Sequence, residues 1–444
     1  MMFDTIAAIS SGHINQAISI IRIVGPDALD IIKKIFTGKI GPNKTIQYGF
    51  IKDENNKVVD EVLVSFFIGS DNFVGENTIE INAHGGIVIS QKILEIVLSH
   101  GARLANKGEF TRRAYLNGKI SLIKAEAIND LINSKTNKQQ EIAINSFNVE
   151  KENKIKQYIS ELEYLIGLCE VNIDYPEYDD IPVLENENFN TKLSGLITQL
   201  EDIVKTSQAN QVFIRPIEVA IVGNPNVGKS SLLNAILNNE KSIVTNIAGT
   251  TRDVIEQEII FNNFILKLKD TAGIREAKDE IEKIGIEKSW NEIEKSDILI
   301  HVIDSTKGIN SFDEEIIKKI EDKNKNNYIQ LWNKSDLLEK KDDDKIYVSS
   351  INKDLDNLNN ALMNIFFNNE IESSNMTFNQ RQTSCLKKAL NSLYVAKDAI
   401  ISGHTYDVIV IDLHNAWESL KEIIGDVDKE ELLDSIFKNF CLGK

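Results

Sequence analysis

One eight-residue run constrains this chain more than any other: Gly-Asn-Pro-Asn-Val-Gly-Lys-Ser at 223–230, which has the spacing GxxxxGKS. The apolar run Ile217–Val222 before it predicts a buried strand, and Ser230–Leu237 after it predicts a helix. The two glycines let successive backbone N–H groups turn toward one anion, and the helix N-terminus adds its positive end. The run therefore predicts an α/β unit with a phosphate-binding loop.

Several side chains of this loop suit a nucleoside triphosphate. The ammonium group of Lys229 is expected to reach the β- and γ-phosphates, and the hydroxyl of Ser230 to bind Mg²⁺. Asn226 offers an amide oxygen that can coordinate a monovalent cation and neutralise charge in the transition state; an asparagine that only supports the turn is the alternative. The predicted contacts of the loop are Asn226, Val227, Gly228, Lys229, Ser230 and Ser231.

Further motifs follow the loop in the order expected of a GTP site. Asp270 comes after an alternating strand, Phe264–Lys269, and its carboxylate suits a water-mediated contact to Mg²⁺. The N–H of Gly273 can sense the γ-phosphate. The predicted nucleotide contacts in these motifs are Thr245, Asn246, Ile247, Ala248, Gly249, Thr250, Thr251, Asp270, Thr271, Ala272, Gly273, Asn333, Lys334, Asp336, Ser349 and Ser350.

Asn333 and Asp336 predict which base the site accepts. They follow an apolar strand, Tyr328–Trp332. A carboxylate accepts hydrogen bonds from two donors on the edge of guanine, whereas adenine presents an amino group and a lone pair there. That mismatch leaves a buried polar group unpaired, which is costly. With Ser349 and Ser350 packed against the base, the motif predicts a guanine nucleotide.

The position after the Asp270–Gly273 motif raises the question of how the attacking water is oriented. Signalling GTPases place a glutamine there, but this chain has Ile274, which cannot do so. Another polar group is therefore required. The neighbouring candidates, which the residues alone leave open, are Arg275, Glu276, Asp279, Glu280 and Glu282.

The chain as a whole has 444 residues, 42% of them hydrophobic, and a formal net charge of −17. This length predicts two or three domains. The charge argues against a protein that wraps nucleic acid unaided, because phosphate contacts need a basic face; a local basic patch or a basic partner remains open. Three widely spaced cysteines, with neither a signal-peptide pattern nor a long apolar run, predict a cytoplasmic protein without membrane segments.

Hydrophobic periodicity divides the chain into regions. Residues 1–118 alternate short strands and helices, including a predicted helix over Pro26–Phe36, and indicate an α+β domain. Residues 213–370 hold the phosphate-loop domain, and 119–212 and 371–444 have helical periodicity. We therefore predict one helical domain, formed from two segments, with a P-loop, Ras-like GTPase domain inserted between them. A separate tail domain after the GTPase is the alternative.

With these features the chain resembles one family over essentially its whole length: the bacterial tRNA-modification GTPases MnmE, also called TrmE. The most specific matches are Gly108–Ala114, Leu122–Leu131, Gly249–Asp253 and the terminal Cys-Leu-Gly-Lys at 441–444. The GTPase motifs alone also fit ribosome-assembly GTPases, but the first and last regions do not. The resemblance implies a multidomain α/β chain with an N-terminal α+β folate-binding-like domain.

For that N-terminal domain, the resemblance implies a homodimer that binds 5-formyltetrahydrofolate or a related tetrahydrofolate. The residues that match the family's folate contacts are Arg22, Glu80, Lys119 and Lys444. A carboxylate such as that of Glu80 can read the guanine-like edge of a pterin, and cations suit the glutamate carboxylates of the folate. Cys441 matches a cysteine that the family needs for modification.

For the GTPase domain, the resemblance implies activation by K⁺ and by juxtaposition of two such domains across the dimer. The positions that match the K⁺ ligands are Asn226, Thr245, Ile247 and Thr250, and those that match the Mg²⁺ ligands are Ser230 and Thr251. Glu282 matches the acid that orients the attacking water, which gives Glu282, Lys229 and Cys441 as the implied catalytic residues.

The partner that the resemblance implies is the FAD-dependent protein MnmG (GidA), in a heterotetramer. Together the two would add an aminomethyl or carboxymethylaminomethyl group to C5 of the wobble uridine of certain tRNAs, with tRNA held mainly by the complex. Two other functions remain open at this point. A ribosome-assembly switch would be stimulated by ribosomal subunits, and a folate-dependent methyltransferase with a vestigial GTPase would make its product without GTP.

Overall fold

The computed structural model describes residues 4–175, 187–237, 242–245, 257–261, 263–268, 296–322, 327–367, 376–426 and 430–443. It forms two compact units. The first unit contains Met1–Ile132, Glu152–Ser160 and Trp417–Lys444, and the second unit contains Asn133–Lys151 and Glu161–Ala416. The domain boundaries drawn from the sequence remain predictions.

The first unit is built on a six-stranded sheet with the order β3-β4-β5-β2-β1-β6. All neighbours are antiparallel except β1 and β6, which run parallel. The strands are β1 Ile6–Ile9, β2 Ile18–Val24, β3 Thr45–Lys52, β4 Val58–Phe67, β5 Thr78–His84 and β6 Arg103–Leu104. Helices α1 Ala28–Ile35 and α2 Ile87–Ser99 cover one face, where alternate strand residues form a buried aliphatic core.

Helix α1 begins two residues later than the sequence predicts, so the expectation of a helix over Pro26–Phe36 was wrong at its start. Thr5 Oγ1 accepts a hydrogen bond from Asp27 N at 2.9 Å, which holds the preceding residues in a turn instead. At the other end Phe36 leaves the helix to form an antiparallel bridge with Ile51.

A small helical cluster completes the first unit. Helix α3 (Glu109–Leu116) packs against the last helix, Glu430–Phe437, and α4 (Leu122–Asn133) contributes to the same core. Phe437 and Phe440 are buried there. The cluster therefore anchors the C-terminal residues beside the N-terminal sheet of this unit.

In the second unit the phosphate-loop domain has a seven-stranded sheet with the order β13-β12-β11-β7-β10-β9-β8. Its strands are β7 Ile217–Val222, β8 Ser242–Thr245, β9 Gln257–Phe261, β10 Phe264–Leu268, β11 Ile298–Asp304, β12 Tyr328–Asn333 and β13 Ile346–Tyr347. Neighbouring strands are parallel along the series β13-β12-β11-β7-β10, while β9 is antiparallel to both of its neighbours, β10 and β8. β11 is buried along its whole length, as expected for a central parallel strand covered on both faces.

Helices surround this sheet and continue into an all-helical part of the chain. They are α5 Asn137–Asn145, α6 Glu150–Asp174, α7 Glu187–Ile214, α8 Lys229–Leu237, α9 Ser311–Asp322, α10 Asp356–Phe367, α11 Gln380–Ile401 and α12 Tyr406–Ile424, and the last helix of the chain becomes α13. Helix α7 packs against α11, so segments from before and after the phosphate-loop domain share one helical layer. The chain is therefore a multidomain α/β protein with an inserted P-loop domain. None of the helices that the structure describes has the length and apolarity to cross a bilayer.

Candidate functional site

The phosphate loop lies between β7 and α8, where the sequence places it. Gly223 has φ of 146°, and a Cβ atom there would come within 2.3 Å of the carbonyl oxygen of Val302. Gly228 has φ of 98°, and its Cβ would meet Asn333 Nδ2 at 2.3 Å. Because any other residue would clash, both positions need glycine, and the loop packs directly on β11 and on the Asn333 loop.

The ammonium group of Lys229 is hydrogen-bonded to the backbone of its own loop. Its Nζ donates to the carbonyl oxygens of Gly223 and Asn224 at 2.6 and 2.8 Å. Burial lowers the pKa of Lys229, against a smaller opposing influence from the carboxylate of Asp313. An anionic phosphate would favour the charged ammonium. When a phosphate binds, Lys229 Nζ can therefore donate to phosphate oxygens instead of to the two carbonyl oxygens. Ser230 and Ser231 lie in the first turn of α8.

Asn333 joins the base-reading loop to the phosphate loop. Its buried amide donates from Nδ2 to the carbonyl oxygen of Val227 at 3.0 Å. Its Oδ1 accepts from Ser350 N at 3.2 Å and from Ser350 Oγ at 2.8 Å. Asp336 is oriented in turn, because Ser349 Oγ donates to its Oδ1 at 2.6 Å. The residues predicted to read guanine therefore lie together and are held by hydrogen bonds.

Lys334 makes a second connection between the two loops. It adopts a left-handed backbone conformation, with φ of 65°, and its Nζ donates to the carbonyl oxygen of Asn226 at 3.0 Å. The same Nζ pairs with Asp304 Oδ2 at 2.6 Å. Burial raises the pKa of Asp304, but the bonds from Lys334 and Thr306 outweigh it, so the net shift is downward.

Asp304 is a site residue that the sequence reasoning missed. It is the last residue of β11, at the carboxyl edge of the parallel sheet where the loops of such sites gather. A signal was available, because it follows the apolar run of β11 just as Asp270 follows the run of β10.

A polar set next to the loop, buried at His301 and Asp313, was missed as well. Asn224 Nδ2 donates to Asn310 Oδ1 and to Asp313 Oδ1, both at 3.0 Å. Asp313 Oδ1 is 2.9 Å from His301 Nε2, and His301 Nδ1 is 2.9 Å from the hydroxyl of Tyr328. A histidine in the middle of a buried strand was the available signal.

Many of the predicted switch residues lie outside the described part of the chain, so their roles remain predictions. They are Asn246, Ile247, Ala248, Gly249, Thr250, Thr251, Asp270, Thr271, Ala272, Gly273, Ile274, Arg275, Glu276, Asp279, Glu280 and Glu282, together with Lys444. The backbone of Thr245 ends β8, where it pairs with Glu258. Of the predicted cation and Mg²⁺ ligands, the structure places Asn226 and Ser230.

The first unit brings together part of the second predicted site. Arg22 and Glu80 are paired across β2 and β5, and Arg22 Nε donates to Glu80 Oε1 at 2.8 Å. Arg22 also lies over the ring of Phe110, with 5.5 Å from Cζ to the ring centroid. The carbonyl oxygen of Gly443 accepts from Arg22 Nη1 at 3.4 Å and from Ser10 Oγ at 2.8 Å. The C-terminal tail therefore meets the predicted folate residues.

Cys441 and Lys119 lie near this tail and the end of α3. Cys441 is exposed, and its carbonyl oxygen accepts from Gly108 N at 3.2 Å. A Cβ on Gly108 would overlap Phe437 O at 2.7 Å, so the tail packs tightly there. The side chain of Lys119 lies over Gly75, whose added Cβ would be 3.0 Å from Lys119 Cε.

Known proteins match this chain over its entire length. The family model for the N-terminus of the GTP-binding protein TrmE matches residues 5–119, and the model for the MnmE helical domain matches residues 122–441. The tRNA modification GTPase MnmE of Mycoplasma mobile is 50% identical over 446 residues, covering 100% of both chains. That of Bacillus cereus is 40% identical over 461 residues, again covering 100% of both.

A solved structure of Era in complex with MgGDPNP and nucleotides 1506–1542 of 16S ribosomal RNA also matches part of the chain. It is 27% identical, with a TM-score of 0.27, and the match covers 40% of this chain and 67% of that one.

Proposed function

This chain belongs to the MnmE family of tRNA modification GTPases, and from that premise we propose that it is a K⁺-stimulated GTPase activated by dimerisation. It is a GTP hydrolase that acts in tRNA modification. The observation that carries the assignment of the site is the bond from Asn333 to the carbonyl oxygen of Val227, because it joins a base-reading loop to a phosphate loop. We place its action in the cytoplasm, on tRNA.

The described residues can bind and orient the nucleotide. Backbone N–H groups of the loop between Gly223 and Gly228 would donate to the phosphates, and Lys229 would supply a cation. Asp336 accepts from the guanine edge, and its bond from Ser349 keeps the carboxylate aimed. The Ser230 hydroxyl at the start of α8 suits Mg²⁺, which would neutralise charge that develops on the phosphates. Thr251 is proposed as its second ligand.

Asn226 is the proposed K⁺ ligand whose side chain the structure describes. Its backbone is left-handed, with φ of 65°, and Lys334 holds its carbonyl oxygen. Asparagine tolerates this conformation better than most residues, and its amide oxygen is a hard ligand that suits K⁺. K⁺ would supply the positive charge that an arginine finger provides elsewhere. The other proposed ligands are Thr245, Ile247 and Thr250.

The K⁺ proposal is tested by Asn226→Ala in the full chain. GTP turnover is measured at one ionic strength in KCl and in NaCl, because the two salts screen surface charges equally. We expect K⁺ stimulation in the wild type and its loss in the variant. Asn352→Ala, an exposed asparagine on the same domain, is the matched control. Equal turnover of the wild type in both salts would contradict the proposal.

Glu282 is proposed to orient the attacking water, since Ile274 cannot. Glu282→Ala should lower kcat by about 10²-fold or more while the Kd for GTP stays within about twofold. Glu282→Gln keeps a hydrogen-bonding side chain but removes its negative charge, so its kcat shows which of the two properties the reaction needs. A large loss of GTP affinity instead would place Glu282 among the binding residues.

A sheet face in the first unit that is only partly covered by the described residues supports the homodimer. α1 and α2 cover one face of that sheet, whereas apolar residues on the opposite face are exposed: Ile18, Ile46, Tyr48 and Leu63 have exposed fractions of 61%, 62%, 57% and 48%. Tyr48 and Leu63 are directly paired across β3 and β4. An apolar face of this kind favours burial against a second copy.

The dimer is tested with the double variant Ile46→Glu/Leu63→Glu, measured by light scattering and by GTP turnover in KCl. We expect a monomer with reduced turnover, since two desolvated carboxylates oppose association. Ile401→Glu, which is 74% exposed in the second unit, is the control. A wild-type protein that is a monomer at micromolar concentration with full turnover would contradict the proposal.

We also propose that Arg22 and Glu80, with Lys119 and Lys444, bind 5-formyltetrahydrofolate or a related tetrahydrofolate. Because side chains alternate along a strand, Arg22 lies on the same sheet face as Ile18, so this site adjoins the proposed dimer face. With the FAD-dependent MnmG (GidA) in a heterotetramer, the protein would add an aminomethyl or carboxymethylaminomethyl group to C5 of the tRNA wobble uridine. Cys441 is proposed to take part in this modification.

Two measurements test these assignments separately. Calorimetry with 5-formyltetrahydrofolate should give binding that Glu80→Gln weakens about tenfold. Mass spectrometry of tRNA from cells without this protein should show loss of the wobble modification. Intact modification in those cells would reject the tRNA assignment, while the calorimetry judges the folate site alone.

A further inference from the structure

A buried polar set reaches the phosphate loop from below. His301, in the middle of β11, is 0% exposed, and Asp313, in the first turn of α9, is 2% exposed. Their shared hydrogen bond is 2.9 Å long, and Asp313 extends the chain to Asn224 of the phosphate loop. A buried carboxylate carries a large desolvation cost, so each of its partners contributes to keeping it there.

The bonds fix the role of each atom in this set. Burial lowers the pKa of His301 by more than Asp313 raises it, which keeps the imidazole neutral. Its Nε2–H then donates to Asp313 Oδ1, and Nδ1 accepts from the hydroxyl of Tyr328. A carboxylate only accepts, so the amide of Asn224 must present Nδ2 to Asp313. The orientation of the Asn224 side chain is therefore imposed from beneath.

Asn224 transmits this constraint to the phosphate site. Its backbone carbonyl accepts from Lys229 Nζ at 2.8 Å, and the residue directly follows Gly223. Asp313 also acts on the charge of Lys229, whose pKa it raises. The exposed Asn310 also holds the Asn224 side chain in this orientation. Its Oδ1 accepts from Asn224 Nδ2 and from the backbone N–H groups of Phe312 and Asp313.

We propose that Asp313, supported by His301, is a positioning residue that acts through Asn224 to hold the phosphate loop in its nucleotide-binding conformation. This inference rests on the proposed assignment of residues 223–230 as the phosphate site. The loop contacts phosphates that are present in both GDP and GTP. Loss of the contact between Asp313 and Asn224 should therefore weaken binding of the ground state and of the transition state equally. This loss raises the Kd for GDP and the KM for GTP and leaves kcat unchanged.

A double-mutant cycle tests whether Asp313 acts through Asn224. The Kd for a fluorescent GDP analogue is measured for wild type, Asp313→Asn, Asn224→Ala and the double variant of the full chain. We expect Asp313→Asn to weaken binding about tenfold in the wild-type background and less than about twofold in the Asn224→Ala background. Equal losses in the two backgrounds, or a lower Tm with unchanged Kd, would overturn the proposal.

A second cycle covers the case in which Asp313→Asn does not fold. Asn310→Ala changes an exposed side chain and should weaken GDP binding about threefold, again only while Asn224 is present. An Asn310→Ala effect that persists without Asn224 would overturn the proposal. Glu315→Gln, an exposed acid on the same helix, is the matched control. Lys229→Ala tests the assignment of the phosphate site separately from the positioning role of Asp313. Unchanged GDP binding by this variant would reject the phosphate site itself.

Discussion

The phosphate loop and the Arg22–Glu80 pair are assembled in opposite ways. In the first, eight consecutive residues provide the backbone groups and side chains, and glycines with positive φ shape them locally. In the second, strand pairing joins residues 58 positions apart, and the tail residue Gly443 arrives from 421 positions away. A contiguous site is visible as a motif in the sequence, whereas a dispersed one depends on strand register and on the docking of a terminus.

The largest expected effect is on the contiguous site. Lys229→Ala removes the ammonium that donates to the carbonyl oxygens of Gly223 and Asn224 and that is expected to reach the phosphates. We expect kcat/KM for GTP to fall about 10³-fold, measured by phosphate release. Lys318→Ala on the exposed face of α9 is the control. Folate binding by the first unit should be unchanged. A loss of folate affinity in Lys229→Ala would show that the phosphate loop and the Arg22–Glu80 pair are not independent sites.

The next effect concerns base choice. Asp336→Asn replaces an acceptor by an amide that can donate, so the guanine edge loses its partner while xanthine, with a carbonyl in place of the amino group, gains one. We expect kcat/KM for GTP to fall about 10²-fold and that for XTP to rise. Parallel assays with the two nucleotides check this. Equal losses with both would mean that Asp336 only supports the Ser349 loop.

The dispersed site is tested at its tail. Gly443 has φ of 89°, and an added Cβ would lie 2.2 Å from the carbonyl oxygen of Ile9. Gly443→Ala should therefore displace the tail from Arg22 and weaken 5-formyltetrahydrofolate binding about fivefold, with GTP turnover unchanged.

The control for this change is Gly403→Ala. Gly403 also has positive φ, at 72°, but an added Cβ there meets nothing within 4 Å. Backbone strain is thus similar in the two variants, and only Gly443→Ala adds an overlap. Calorimetry that finds the same folate affinity for both variants would show that the tail is not part of the site.

The smallest expected effect is a pH dependence in the first unit. A hydrogen bond from Arg103 lowers the pKa of Asp4 to about 2, partly opposed by burial and helped by the charges of Arg103 and Arg113. Since the pKa of Asp4 in the folded protein lies below its ordinary value of 3.8, the stabilisation is present above pH 3.8 and is lost as the pH falls toward 2.

Asp4→Asn should therefore reduce the acid sensitivity of this region. Arg113 of α3 donates to Asp4. The protection of α3 amides from hydrogen exchange, corrected for the intrinsic exchange rate at each pH, should fall a few-fold in the wild type between pH 4 and pH 2.5 and less in the variant. The effect is modest because the Asp4 side chain is 58% exposed. Asp398→Asn, exposed on α11, is the control, and equal acid sensitivity of all three proteins would contradict the assignment.

Much of the fold could be predicted from local pattern. The strand Ile217–Val222 and the helix after the loop are confirmed, because an apolar run bounded by glycine leaves few alternatives. The start of α1 could not be predicted, since it is decided by a bond from Asp27 to Thr5, 22 positions away. Helix boundaries of this kind depend on tertiary partners that no local window contains.

The sequence by itself determined the phosphate loop and located the motif from Asn333 to Asp336, because backbone conformation and hydrophobic period are local properties. Only the tertiary structure decided that Asp304 anchors Lys334, that His301 and Asp313 reach Asn224, and that Gly443 meets Arg22. Each of these depends on which side chains face each other across strands and helices. Hydrogen bonds need that geometry to within a fraction of an ångström, and residues far apart in the chain acquire it only after packing.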